Sequence, residues 1–372
     1  MVTNLSKDLK FIAEFTGIRA IAAFLVYLHH FNPINKSDFP LLYSVFNEFH
    51  IGVNFFFVLS GFLLWYRYKI KFIKDLSPSN IFRYFINRFA RIYPVYFILT
   101  TITFILQYLI FQHNYTLPEA LTILILNLTF MRGFFSSFHF SLVTQGWSLT
   151  VEECFYFLVP IIAYFQRRNI SKVTFALAFP LLGYVLTEFF NDFDDFKYYG
   201  IFANHTFTYV YTIFGRFFEF FVGILLAEYF MKSNPKLTKL HLYLGFFILI
   251  ISCLVLANIC LTYGVEQSIF HPYGRVVCSI AVTSGIALSY LGILNGGSVV
   301  NLFLSSKIMQ HLGKASYSFY LIHFGFLHDF ANYVTGGLEI FNFILLVFIS
   351  ILIFKYIEEP LSKLIRRRET VN

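Results

Sequence analysis

The sequence predicts an all-α polytopic membrane protein of about ten transmembrane helices, and three observations predict it. Of its 372 residues, 58% are apolar and only 13% charged, against about a quarter charged in a soluble domain. The apolar residues fall into runs of about 20, the length a helix needs to cross about 30 Å of hydrocarbon. The basic residues gather in alternate segments between those runs, the asymmetry that orients membrane proteins. Disordered, collagen-like and disulfide-scaffold classes are excluded by the same composition.

In order, the runs bounded by polar clusters cover residues 15–32, 50–66, 92–112, 146–165, 173–190, 208–230, 240–262, 274–294, 309–329 and 337–356. Each is long enough to span. An eleventh run, Leu121–Met131, has about 11 residues, too short to cross, and reads as a re-entrant or interfacial segment.

Charge supplies an independent test. With the N-terminus cytoplasmic, 21 of the 28 lysines and arginines fall in inward segments and 3 (Lys36, Arg132, Lys197) in outward ones. The other 4 (Arg19, Arg216, Arg275, Lys314) lie within spans. Treating the short run as a crossing would throw Arg167 and Arg168 outward and spoil the pattern. The reading is therefore ten spans with both termini cytoplasmic. The net charge of +8 is then a topology signal and needs no nucleic acid. Residues 1–372 read as a single integral-membrane domain with no appended soluble domain. The first run contains Arg19 and no small-x-small cleavage site, so no signal peptide is expected. Cys154, Cys253, Cys260 and Cys278 sit inside apolar runs without metal-ligand spacing and read as small core residues. No metal is expected.

Ionisable residues within a bilayer cost about 2.5–3.5 kcal/mol each at its centre and need a reason. In the first run Arg19 and His30 are eleven residues apart, about three helical turns, so they share a face about 16.5 Å apart along the axis. The plain alternative is a snorkelling arginine and an interfacial histidine. Arg88 and Arg91, in INRFARIYP, share a face at the inner mouth of the third span. Two guanidiniums can fork a pyrophosphate, or simply anchor the helix by charge. Glu152 and Glu153 enter the fourth span behind Trp147 in QGWSLTVEECFYFLVP, where a carboxylate must pair, protonate or face a polar cavity. His323 lies in the ninth span, and Arg216 and Glu219 can neutralise each other at i, i+3 on the sixth. Phosphate-type binders on the inner side and a His/Glu acid–base set on the outer side suit an extended donor whose reactive end reaches outward. A transporter or flippase would use the same buried charges without chemistry.

The segments FTGIRAIAAFLVYLHHF, GVNFFFVLSGFLL, NRFARIYP, QGWSLTVEECFYFLVP, GRFFEFFVGILLA, LGKASYSFYLIHF and IEEPLSKLIRRR together resemble the membrane acyltransferase family 3, which includes bacterial O-antigen and exopolysaccharide O-acetyltransferases. They occur in the family's order from the first helix to the last. Thr16 stands where the family usually has Asp, and Cys154 where Gln is frequent.

The resemblance implies an integral-membrane O-acetyltransferase of the bacterial inner membrane, with acetyl-CoA as donor. Its acceptor is a hydroxyl of a cell-surface glycan or a lipid-linked precursor. His30 is the catalytic residue implied, acting as base with help from Glu152. Arg19, Arg88 and Arg91 are implied in handling the coenzyme A donor; Trp147, Tyr317, Tyr320 and His323 match further family stretches, and Trp147, Tyr320 and His323 are expected around the substrates. Succinyl or a longer acyl group in place of acetyl stays open, as do direct transfer against an acyl-histidine step, a separate periplasmic partner and the oligomeric state.

Overall fold

The computed structural model describes residues 10–110, 116–168, 172–191, 199–232 and 235–367. Among them there are no strands, only an isolated antiparallel bridge between Phe135 and Ile201. The helices run α1 (Ala13–His30), α2 (Pro40–Asn47), α3 (Gly52–Lys74), α4 (Pro78–Ile105), α5 (Leu117–Leu128) and α6 (Trp147–Arg167). Next come α7 (Lys172–Asn191), α8 (His205–Tyr211), α9 (Ile213–Phe230), α10 (Lys239–Tyr263), α11 (Pro272–Val277) and α12 (Thr283–Asn295). The chain closes with α13 (Val299–Leu304), α14 (Lys307–Ile322), α15 (Phe326–Thr335), α16 (Glu339–Ile353) and α17 (Glu359–Arg367).

Local chemistry sets several boundaries. Pro78 opens α4 at a first-turn position, where its missing N–H costs nothing. Thr116 and Glu119 form a reciprocal capping box at the start of α5, satisfying two otherwise orphaned donors. At the end of α10, Gly264 takes φ +67°, the left-handed cap conformation that glycine adopts without a side-chain clash.

Among the described residues, seven helical stretches are long and apolar enough to cross a membrane: Pro40–Lys74, Pro78–Tyr108, Thr144–Arg167, His205–Phe230, Lys239–Tyr263, Pro272–Asn295 and Glu339–Arg366. The chain is therefore a multi-pass membrane protein. Seven of the ten predicted runs fall on these stretches. The other three fall on α1, α7 and α14, which differ for visible reasons. Helix α1 has 18 residues, but Glu14, Arg19 and two terminal histidines dilute its apolar character. In α7 the apolar stretch is the 16 residues Ala176–Asn191. The run predicted over 309–329 is broken: α14 ends at Ile322 and Gly325 turns the chain with φ +94° before α15. Apolar composition is continuous through that turn, so hydropathy alone cannot register it. Helix α5, at 12 residues, is the short segment predicted near 121–131, and about 18 Å is too little to cross.

The chain divides into two compact units. The first comprises residues 1–74 and 216–316. In it α3 and α9 meet at Gly61 and Gly223, where a Cβ on either would run into the other helix's backbone at Phe220 O or Val58 O. Small residues permit this close approach where lipid supplies no hydrophobic drive between helices. Phe15 of α1 packs edge-on against Phe62 at 5.0 Å and against Tyr290 at 5.1 Å between ring centroids.

The second unit comprises residues 75–215 and 317–372. Tyr84 of α4 donates to the carbonyl of Tyr156 in α6 at 3.0 Å, and Tyr317 donates to the carbonyl of Ile92 at 2.7 Å. Between α5 and α6 the chain makes two short 3-10 turns, Met131–Phe134 and Thr144–Gly146. These are stapled by Arg132, which is fully buried. Its guanidinium donates to Asn127 Oδ1 at 2.6 Å and to the carbonyls of Ser141 and Val143. A residue that the charge pattern counts only as an outward cation is thus the organiser of a loop.

Candidate active site

In the first unit the site is built on the last turn of α1. Ala20, Ala22 and Ala23 are wholly buried; Ala22 and Ala23 stand three and four residues after Arg19, on the face that Arg19 and His30 share. Arg19 is half-buried and close enough to the Tyr290 phenol to act on it electrostatically. His30 is exposed. Its ring lies 4.9 Å from that of His29, which in turn stands edge-on to His50 at 5.6 Å. His29 Nδ1 is 2.6 Å from the carbonyl of Asn47. A carbonyl only accepts, so Nδ1 carries the proton there.

His50 is tied to Glu48, with Nε2 3.1 Å from Oε2. Glu48 has no exposed surface. Three further donors satisfy it: the Ser268 N–H at 2.9 Å, the Ser268 hydroxyl at 2.6 Å and the Cys260 thiol at 3.0 Å. Such a carboxylate is expensive to bury unless fully bonded, and this one is. The result is a line of carboxylate and imidazoles, Glu48–His50–His29–His30, ending at the exposed ring. Sequence reading missed Glu48 and His50 because they sit in a one-turn 3-10 element, Glu48–Ile51, that straddles the start of the apolar run. The available signal was an acidic residue two positions from a histidine at a span boundary. Glu48, His50 and Cys278 each offer a ligand atom within 4.8 Å of the others and are the residues among those described that could share a cation. Glu48's charge is already met by four donors.

Deeper in the same unit, Asn54 Nδ2 donates to Glu219 Oε1 at 3.1 Å, and Arg216 Nη1 lies 3.3 Å from the same oxygen. Arg216 and Glu219 do pair, as i, i+3 spacing allows. Among the described residues Glu219 Oε2 and Asn54 Oδ1 are buried without a hydrogen bond.

In the second unit Arg88, Arg91 and Glu152 gather around one phenol. The Tyr156 hydroxyl donates to Glu152 Oε1 at 2.6 Å, and the Arg88 guanidinium carbon is 5.8 Å from the Tyr156 ring centroid. Arg88, Arg91, Glu152 and Glu153 all act on that phenol electrostatically. Arg88 is only 8% exposed, so it is more than a surface topology marker, whereas Arg91 is half-buried.

Trp147, Tyr320 and His323 form a separate group around the start of α6. Trp147 is the first residue of that helix and stands perpendicular to Tyr211 at 5.0 Å. The Tyr320 hydroxyl is 2.8 Å from Ser148 Oγ. His323 is wholly buried, its Nδ1 2.7 Å from the carbonyl of Tyr320. Trp147 and Glu152 are five residues apart, about 7.5 Å along the helix, so the two groups occupy successive levels of α6. The structure therefore brings Arg19 and His30 onto one unit, and Arg88, Arg91, Glu152, Trp147, Tyr320 and His323 onto the other.

Nearby, outside the spans, His139 packs between Phe140, Phe207 and Tyr211. Burial and the Arg132 charge push it down to about 4, so it is neutral at physiological pH.

A family model described as an acyltransferase domain matches residues 12–357. A Staphylococcus aureus (strain COL) protein provisionally named an O-acetyltransferase is 23% identical over 384 residues, 96% of this chain and 58% of that protein. The Staphylococcus aureus O-acetyltransferase OatA is 24% identical over 377 residues, 95% of this chain and 58% of its own. A provisionally named acetyltransferase of Acidianus two-tailed virus is 28% identical over 284 residues, covering 75% of this chain and 74% of the viral one. The chain spans just under three fifths of the length of the staphylococcal relatives. No solved structure matches it.

Proposed function

The chain belongs to the membrane acyltransferase family 3, and from that premise we propose that it is an integral-membrane O-acyltransferase. It moves an acetyl group from cytoplasmic acetyl-CoA to a hydroxyl of a cell-surface glycan or its lipid-linked precursor, across a bacterial inner membrane. In this reading the polypeptide crosses ten times with both termini cytoplasmic, α1, α7 and α14 completing the seven long stretches. The full length acts as one integral-membrane domain.

The observation that carries the reading is His30: an exposed imidazole at the end of α1, backed by His29, His50 and the buried Glu48, on the face that also bears Arg19. His30 takes the proton of the acceptor hydroxyl as its oxygen attacks the thioester carbonyl. The tetrahedral intermediate collapses, the C–S bond breaks, and the imidazolium returns the proton to the leaving sulfur. Glu152 assists as the second acid–base group, and Glu48, through His50 and His29, positions the ring. Arg88 and Arg91 hold the donor's phosphates, Arg19 lines the passage, and Trp147, Tyr320 and His323 contact the substrates.

Membranes containing the protein are incubated with radiolabelled acetyl-CoA and endogenous glycan. Label enters the glycan with the native chain and not with His30→Ala, while the variant stays folded in detergent. Undiminished transfer by His30→Ala refutes the assignment. Movement of unmodified glycan without label would make the protein a carrier instead.

A further inference from the structure

The second unit contains a cavity of about 330 Å³, at the small end of the range for ligand sites. Its walls come from three places: the end of α4 and the π turn beyond it, the stretch 142–144 entering α6, and residues 321–329, from the end of α14 through the turn into α15. Two wall positions hold unusual backbone. Leu142 lies at φ +53° and Gly325 at φ +94°. A left-handed non-glycine residue costs about 1–3 kcal/mol and persists only where its surroundings impose it. Here Arg132 imposes it, donating to the carbonyls on either side of Leu142. Across the cavity, Gln145 Nε2 donates to the carbonyl of Leu321 at 2.6 Å. The walls are pinned to each other, so the space is preformed.

The lining chemistry selects an occupant. Its single charged residue is Asp329, and no lysine or arginine is present, so a phosphate or coenzyme A is disfavoured. The Asp329 side chain is 79% exposed, which opens the mouth to water. Thr103 spends its hydroxyl proton on the Leu99 carbonyl at 2.8 Å, leaving only acceptor lone pairs to offer. A carboxylate likewise only accepts. Gln107 and Thr144 add further polar groups, while leucines and Phe324 supply apolar wall. An excess of acceptors beside apolar surface suits a ligand rich in hydroxyl donors with apolar ring faces. Along α4, Thr103 is 15 residues from Arg88, about 22 Å, so the cavity and the arginine pair lie at different levels of one helix.

We propose that this cavity seats an uncharged, hydroxyl-rich sugar ring of the acceptor glycan. The inference rests on the O-acyltransferase reading and adds the place and chemical class of the second substrate. The test replaces Phe324 with the photo-crosslinking residue p-benzoylphenylalanine in the full chain, in native membranes, with Phe97 of α4, 43% exposed and outside the cavity, as the control site. After illumination, mass spectrometry should find hexose- or N-acetylhexosamine-containing adducts at position 324 and none at 97. Adding Gln107→Leu and Asp329→Asn should cut the sugar adduct about tenfold, since unpaired hydroxyls are strongly penalised in such a site. Lipid-only adducts, coenzyme A adducts or none at 324 overturn the proposal. Size-exclusion in detergent shows that the crosslinker variant is folded, and labelled acetyl transfer is measured with the native chain in the same membranes. Transfer without a sugar adduct sinks this inference alone; no transfer by the native chain sinks the O-acyltransferase reading.

Discussion

Replacing Glu48 with Gln tests the network behind His30 most directly. Glu48 is fully buried and accepts four hydrogen bonds, from His50, the Ser268 hydroxyl and N–H, and the Cys260 thiol. Glutamine keeps the shape but turns one oxygen into an NH₂ group that faces donors. At least two bonds are lost, each worth about 1.5 kcal/mol when the acceptor is charged, so stability should fall by about 3 kcal/mol. If Glu48 positions His50, and through it His29 and His30, transfer per folded molecule should also fall about 10- to 100-fold, about 1.4–2.7 kcal/mol of barrier. If Arg88 and Arg91 hold the donor's phosphates as proposed, the half-saturating acetyl-CoA concentration should not change. The assay is label transfer from acetyl-CoA in reconstituted vesicles, normalised to folded protein by size-exclusion in detergent. Glu48→Asp, which keeps the charge, should recover part of the rate. A lowered melting temperature with an unchanged rate per folded molecule refutes the positioning role and leaves Glu48 as scaffold.

Three further outcomes follow from the same geometry. Arg88→Ala should raise the half-saturating acetyl-CoA concentration about tenfold or more, the loss of one charge-assisted phosphate contact, measured by initial rates; Arg88→Lys should recover only part, since a point charge cannot fork. Gly223→Ala puts a methyl against Val58 O and the backbone of Gly61, and overpacking of this kind should cost about 1–3 kcal/mol, read as a lower melting temperature in detergent. His139, held near 4 when folded against an ordinary value of 6.5, binds a proton more readily unfolded than folded. Its contribution is present above about pH 6.5 and is lost as pH falls toward about 4. Protease sensitivity of the 131–146 loop should rise over that interval, and His139→Gln should flatten the dependence.

How much of this was legible in the chain follows from which interactions are local. Apolar run length and the placement of lysines and arginines report the membrane class, because both are set by the thickness and charge asymmetry of a bilayer. The helical repeat puts Arg19 and His30 on one face, and the structure keeps α1 unbroken from one to the other. Glu152 and Tyr156 are four apart on one helix and do meet. Other features need contacts that no local pattern encodes. Glu48 is explained by Ser268, 220 residues away. Arg132 looks like a loop cation until the carbonyls of Ser141 and Val143 turn back onto it. The break of the predicted 309–329 span at Gly325 hides in continuous hydropathy and is visible only as a backbone angle. The sequence by itself therefore determined what the protein is dissolved in and which helix faces carry charge, since solvent and helical period act residue by residue. Tertiary structure alone decided which buried charges have partners and where a cavity opens, because a polar group in low dielectric is settled by whatever distant atom reaches it.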